Sequence, residues 1–396
     1  MSINSILISS SAMAAYTQGL STISENISNL NTTAYKGKRL SFYEQPGQLH
    51  KSPYDEGSSF SGVSTGEPTR LLLQGDVQQT GASFDFAIEG EGYFVIGDTA
   101  APLFTRAGSF VVDEGKRLVQ QGSRLPLLVY DPLGNLGPII FKSEDNVFPG
   151  KATAVLHFAN VLNSAASTYD LPDAISVFND AGNAISVKMS LARDEEDSSK
   201  WKVTLKTDEK DSKELGSGTI RFLDSGEVDP ENSTIQFEFT RGDEASQSIT
   251  LDFSKAKCFS TLSSTLSLDG QDGLAAGQLN AIKVAKNGEI TANYTNNNLK
   301  ILGRVALASI DNPDLLISRE FGVFAAENPL LNIEIGKADE RGRGQLTQGA
   351  LEASNVELTQ QFSSMIIMQR GYQAASQVIS TTNEMLGLLF DIRGKR

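Results

Sequence analysis

The two ends of this chain keep a period of seven and its middle keeps a period of two. That change of period limits the fold more than any other feature. Ile6, Met13, Leu20 and Ile27 are spaced by seven, and Tyr16, Ile23 and Leu30 run beside them in a second row. Two such rows make one apolar seam along a helix. At the other end Leu351, Leu358, Met365, Tyr372, Ile379 and Leu386 fall on every seventh residue, and Phe362, Ile366, Met368, Leu389 and Phe390 widen the stripe. The spacing predicts a helix from Leu351 to Asp391, roughly 60 Å long at about 1.5 Å per residue. Ser, Ala, Thr and Gln flank both seams where a solvated coiled coil carries Glu and Lys, so the flanks are expected to be covered as well. Gly19, Gly371 and Gly387, with the β-branched Thr381 and Thr382, leave each helix weak in isolation. The ends are therefore expected to be disordered in the free chain and to fold on association.

Between the ends the apolar residues alternate. Phe84, Phe86 and Ile88 do so in "SFDFAIEG", and Ile185, Val187, Met189 and Leu191 in "AISVKMSLA". The same holds for Trp201, Val203 and Leu205, for Ile235, Phe237 and Phe239, and for Ile249, Leu251 and Phe253. These are half-buried strands. Turn signals at 113–116, 179–183 and 286–289 separate strand candidates, and no helical pattern intervenes. The expected class is α+β. Long N- and C-terminal helices form a coiled-coil-like pair, and nested antiparallel β domains, sandwich- or barrel-like, lie between them. The expected boundaries are 1–35 with 350–396 for the helical core and 36–70 for an extended connector rich in Gly, Ser and Pro. An inner β domain follows over 71–150 with 280–345, and an outer one over 151–279.

Charge and composition exclude several functions. The net charge is −14, with +1 in residues 1–45 and +2 in 341–396, so the middle carries −17. An acidic middle argues against nucleic acid as a partner. No apolar run approaches the roughly 18 residues of a membrane span, and no basic leader marks a cleaved signal. One cysteine, Cys258, forbids an intrachain disulfide, and with two histidines, His50 and His157, a structural zinc site is not expected. Cys258 reads as a structural thiol. Neither a GxSxG elbow nor a P-loop occurs. "EGEGYF" lacks the third glycine of a dinucleotide fingerprint, and "RDEEDSSK" at 193–200 lacks EF-hand spacing and reads as a solvated hairpin tip. No catalytic, metal or cofactor residues are expected; acidic pairs leave a carboxylate hydrolase open as an alternative that nothing here favours.

The ends carry a resemblance. "ENISNLNTTAYKGKR" at 25–39 resembles the N-terminal signature of the bacterial flagellar axial proteins of rods and hooks, matched by Asn26, Asn29, Asn31, Thr33, Tyr35 and Lys36. Ala34 and Tyr35 stand where that family usually has Gly and Phe. "GALEASNVEL" and "MQRGYQ" resemble its C-terminal signature through Leu351, Glu352, Ser354, Asn355, Val356, Gln369, Arg370 and Tyr372. "DFAIEGEGYFVI" and "FTRAGSFVVDEGKRLVQQGSRL" resemble its shared β domain. The stretch around "DAISVFNDAGNAISVKMSLARDEEDSSKWKV" resembles the outer domain that hook members add and shorter rod members lack.

The resemblance implies a subunit of the flagellar hook, polymerising with itself into a flexible tube that transmits motor torque. The terminal helices would line the core and the β domains would face outward. It further implies rod, hook cap and hook–filament junction proteins as partners. Export would pass through the flagellar type III apparatus to an extracellular site, with no membrane insertion. Lys36, Lys38 and Arg39 are expected at a junction, meeting carboxylates of a neighbouring protomer. A distal rod-like protein, or a secreted oligomeric adhesin or enzyme, is the alternative.

Overall fold

In the computed structural model, residues 2–45, 62–207, 214–239 and 247–394 are described. They divide into two compact units. The first is Met1–Phe141 with Ile282–Thr291 and Ile301–Arg396, and the second is Lys142–Ala281 with Ala292–Lys300. The class is α+β.

The first unit holds both helices, α1 (Ser2–Ser28) and α2 (Leu358–Gly394). They pack antiparallel: Tyr16 lies against Gly371, Gly19 against Met368, and Asn26 bonds Gln361. The closest face of α1 is made of small and polar residues: Ala15, Gly19, Thr22 and Asn26 are buried. Of the large residues in the expected seam only Ile23 is buried, while Ile6, Met13, Tyr16, Leu20 and Ile27 are half-buried. On α2, Ala375 and Thr382 are buried and Met365, Ile379 and Leu386 half-buried. Leu358, Phe362, Ile366, Ile367 and Tyr372 are exposed.

Three expectations are corrected here. The C-terminal helix starts at Leu358. Leu351 lies on the strand Ala350–Glu352, paired with Gln78, so its heptad spacing is coincidental. Leu30 lies beyond α1, in a turn closed by Asn29, Leu30 and Thr32 amides bonding back to Glu25, Ile27 and Asn29 carbonyls. The described ends of the connector pair with each other rather than extending, and its residues 46–61 lie outside the described residues. Lys38–Arg39 pairs with Thr69–Arg70, and Phe42–Gln45 with Gly62–Thr65. This hairpin lies along α1, where Ser11 Oγ accepts from the Val63 amide at 3.1 Å.

The strand Leu299–Ile310 organises the sheet of the first unit, bonding Tyr93–Gly97, Leu128–Tyr130 and Ile333–Lys337. Phe86, Ile88, Phe94, Ile96, Leu127, Val305 and Leu307 fill its core. Phe86–Glu89 pairs with Gln345–Gln348, which brings the chain back toward the C-terminal helix.

The second unit has two sheets over one core. One runs Thr234–Phe239, Gln247–Phe259, Val155–Asn163, Ser267–Gln271, and the other centres on Ala184–Arg193, Lys200–Thr207 and Glu214–Arg221. Alternation drives it: every second residue of Ala184–Arg193, from Ile185 to Leu191, is buried. Trp201, Leu251 and the Phe158–Phe253 stack, 4.8 Å between centroids, lie at the centre. Antiparallel pairing was expected, but Val155–Asn163 and Gln247–Phe259 run parallel. Neither sheet closes into a barrel among the described strands. The expected turns form, with positive φ at Lys116, Gly182 and Gly288.

Candidate assembly joint

Where α1 ends, the two terminal segments are tied to the inner sheet by a buried polar network. Asn26, on the last turns of α1, grips the returning chain with its amide. It accepts from the Lys38 amide at 2.8 Å and donates to the Lys38 carbonyl at 2.8 Å and to Gln361 Oε1 at 3.1 Å. The Tyr35 hydroxyl donates to Asn26 Oδ1 at 3.3 Å. Between them Ala34 holds a left-handed φ of 57° and reverses the chain. Its amide bonds the Glu352 carbonyl at 2.8 Å.

Glu352 is the centre. Its side chain is 1% exposed, and it accepts from Lys36 Nζ at 2.5 Å, Arg106 Nε at 2.6 Å and the Gly75 amide at 2.9 Å. A buried carboxylate survives only with such partners. Arg106 directs three further donors to the carbonyls of Ile88, Gly90 and Gly92, at 3.0, 2.6 and 2.5 Å. That explains "EGEGYF": Gly90 and Gly92 have φ of 101° and 126°, a turn that side chains disfavour and that lets two carbonyls face one guanidinium. Asn355 completes the joint, accepting from the Gly37 amide at 2.7 Å and donating to the Leu71 and Leu73 carbonyls at 2.8 Å. Lys36 also donates to the Leu73 carbonyl at 2.8 Å. Val356 is buried beside Gly37, and Ser354 Oγ accepts from the Val356 amide.

The electrostatics follow from burial and pairing. Burial pushes the Glu352 carboxyl up, but Arg106 and Lys36 outweigh it and hold it below its usual range. Burial lowers Lys36 against the opposing pull of Glu352. Tyr35 is pushed up to about 12 by burial and by the charge of Glu25.

The structure thus brings Asn26, Tyr35, Lys36, Glu352, Ser354, Asn355 and Val356 together. Asn29 closes the helix end, accepting from Thr32, and Thr33 lines a neighbouring cleft. Asn31, Gln369 and Arg370 are exposed and lie outside the joint. The expectation of carboxylates from another protomer is corrected for two residues: Lys36 pairs with Glu352 and Lys38 with Glu25, both in this chain. Arg106 was missed by sequence reasoning. Its signal was a lone cation inside the apolar run "LFTRAGSFVV".

The described residues hold no group of three or more His, Cys, Asp or Glu suited to a metal ion, and none of their helices is long and apolar enough to cross a membrane.

This chain belongs to the flagellar rod and hook family of axial proteins. Three family models fit it: "Flagella basal body rod protein" over residues 6–36, "Flagellar basal body protein FlaE D2 domain" over 151–274, and "Flagellar basal body rod FlgEFG protein C-terminal" over 347–392. Among relatives, the flagellar hook protein FlgE of Brucella melitensis biotype 1 is 27% identical over 396 residues, covering 97% of each chain. That of Salmonella typhimurium is 27% identical over 411 residues, covering 97% of this chain and 98% of the other. That of Escherichia coli K12 is 26% identical over 406 residues, with the same coverage. The crystal structure of the Helicobacter pylori flagellar hook protein FlgE2 shares the fold, with a TM-score of 0.50 and 12% identity over 70% of this chain and all of the other.

Proposed function

We propose that this chain is the subunit of a flagellar hook, polymerising into a flexible tube that passes motor torque to the filament. The observation that carries the reading is the D2-domain match over 151–274, the region that shorter rod members lack. End-to-end coverage of relatives named hook proteins supports it. So does the terminal pair, whose second apolar face is uncovered among the described residues, with Phe362 51%, Ile366 58%, Ile367 65% and Leu388 64% exposed. Such a face has a place in a packed tube wall. The terminal helices, already paired within the chain, pack against those of neighbouring copies and gain further order as they assemble. The β units face outward, with acidic, wet contacts that exchange at small cost. Rod, hook cap and hook–filament junction proteins are the partners at the two ends. The chain reaches its extracellular place through the flagellar type III export apparatus.

Electron microscopy of the purified chain at rising concentration tests the reading. Hollow tubes of uniform diameter are the expected result. A chain that stays monomeric at every concentration and hydrolyses a polymer would belong to a secreted enzyme instead.

A further inference from the structure

Beside the joint lies a cleft of about 540 Å³, walled in part by Lys36 and Arg106 of the joint itself. Its lining includes Lys36, Lys38, Arg70, Arg106 and Arg319, and Phe321 stands on its rim. Within the chain these five cations meet three carboxylates, Glu352, Glu25 and Glu327, which leaves two positive charges in excess. Arg70 carries one of them. It has no carboxylate partner among the described residues; its guanidinium bonds the Pro313 and Leu316 carbonyls and sits 4.9 Å from the Phe324 ring centroid. The rim is held under strain. Phe321 keeps a left-handed φ of 60° and is 61% exposed. Its loop is fixed from both sides, since Gln120 Nε2 donates to the Phe321 carbonyl at 3.1 Å and Thr105 Oγ1 to that of Gly322 at 3.0 Å. A strained conformation that surrounding bonds enforce is found where a side chain must be presented. Here the effect is to keep an aromatic ring exposed to water in the lining of the same cleft as Arg70.

We infer that this cleft receives a carboxylate-bearing surface segment of a second copy of the chain, its acid facing Arg70 and its apolar neighbour resting on Phe321. Charge complementarity names the occupant. The cleft is positive in a chain whose net charge is −14, so the outer surface of another copy offers carboxylates in excess. The inference rests on the reading of the chain as a tube subunit and adds a specific docking site to it. Tube growth then depends on salt through this cleft as well as on apolar packing.

The test compares the critical concentration for tube formation of the parent chain with those of Arg70→Gln and Phe321→Gly, across a salt series. Phe321→Gly removes the strain and so keeps the fold, which circular dichroism of each variant checks. Each variant is expected to raise the critical concentration roughly tenfold, the equivalent of about 1.4 kcal/mol. Arg70→Gln is also expected to flatten the salt dependence. A parent chain that forms no tubes overturns the tube reading and this inference with it. Parent tubes with both variants folded and matching the parent in critical concentration and salt slope overturn the cleft alone. If sodium sulfate raises the melting temperature of the parent but not of Arg70→Gln, while all three polymerise alike, the cleft is a site for a small anion and the inference falls.

Discussion

Phe253 of the second unit and Phe362 of α2 come from equally apolar patterns and end in opposite surroundings. Phe253 is fully buried and stacked on Phe158, whereas Phe362 is half in water. The strands of the second unit show one apolar face each, and two sheets facing each other cover both within the chain. The helices carry apolar residues on more than one side, and a single antiparallel partner covers only one of them. A fully buried large apolar side chain contributes about 1.5–3 kcal/mol. In α2 that contribution is withheld at Phe362, Ile366, Ile367 and Leu388 until another surface arrives. The second unit therefore covers its own apolar faces, while the terminal pair leaves one exposed among the described residues.

The strongest way to break this contrast is to truncate one aromatic on each side of it. Phe253→Ala is expected to destabilise the second unit by about 3–5 kcal/mol. Urea unfolding followed by the fluorescence of Trp201, buried in the same core, measures it. Phe362→Ala should change the unfolding of the dilute chain by no more than about 0.5 kcal/mol. Its effect should appear instead as a raised critical concentration for tubes. Equal losses of dilute-chain stability in the two variants would show that the face of α2 is already covered.

The joint should respond next most strongly, because its charges are buried and mutually dependent. Glu352→Gln leaves Arg106 and Lys36 without their shared carboxylate and is expected to cost roughly 3 kcal/mol of first-unit stability. Acid should mimic it. The folded value of Glu352 lies below its ordinary 4.5, so its contribution is present above pH 4.5 and is lost as pH falls through the folded value. Lys36, lowered by burial, has the opposite relation to protons. Its charged form costs stability, and that cost fades only as pH rises from its folded value toward 10.5. Both shifts make the joint more stable as pH rises. Helix content measured by circular dichroism through an acid titration should show the Glu352 limb in the parent and lose it in Glu352→Gln.

Two glycines of α2 sharpen the same division at a smaller scale. Alanine gains about 1 kcal/mol over glycine in a helix interior. At Gly387 nothing lies within 4 Å of an added Cβ, so Gly387→Ala should raise the thermal stability of helix content in the dilute chain by up to about that amount. At Gly371 the added Cβ would meet the Tyr16 ring at 2.5 Å. Overpacking costs about 1–3 kcal/mol, so Gly371→Ala should be neutral to destabilising by roughly 1–2 kcal/mol net. Opposite signs in the two variants mark which side of α2 faces α1.

What the sequence disclosed follows from this physics. Periods of two and seven separated strands from helices because each reports a face, and the turn signals at 179–183 and 286–289 held because backbone geometry there is local. The face that α1 turns to α2 was not legible. Ala15, Gly19, Thr22 and Asn26 are small or polar, and a search for large apolar residues passes over them. The large residues flank the contact and are free to pack elsewhere. Leu351 misled for the converse reason: its spacing from Leu358 fits a heptad, but pairing with Gln78 decides its structure, and that partner is remote in sequence. The signature around Asn26, Lys36, Glu352 and Asn355 was visible as a pattern. Its meaning was not, since the network also needs Arg106, which the resemblance over "FTRAGSFVVDEGKRLVQQGSRL" covers without singling it out.

The smallest expected effect concerns Ala34, where this chain departs from the glycine usual in its family. Ala34 sits at φ 57° and is buried, with its amide committed to the Glu352 carbonyl. A left-handed conformation costs a residue with a Cβ about 1–2 kcal/mol. Glycine escapes that cost but loses about 0.4–1 kcal/mol through its freer unfolded chain. The difference favours Ala34→Gly by about 0.5 kcal/mol, read as a shift of the urea midpoint for loss of helix content. Tyr35→Phe supplies the comparison beside it. The Tyr35 hydroxyl donates one long bond of 3.3 Å to Asn26, whose Oδ1 keeps its bond from the Lys38 amide, so its removal should cost less than the glycine gains. Combining both changes, which restores the usual Gly-Phe pair, should leave the joint slightly more stable than in this chain. A double variant that is less stable than the parent would mean that the turn at Ala34 is not left-handed when the helix end packs. The joint would then need another account of how the chain reverses from α1 toward Lys36.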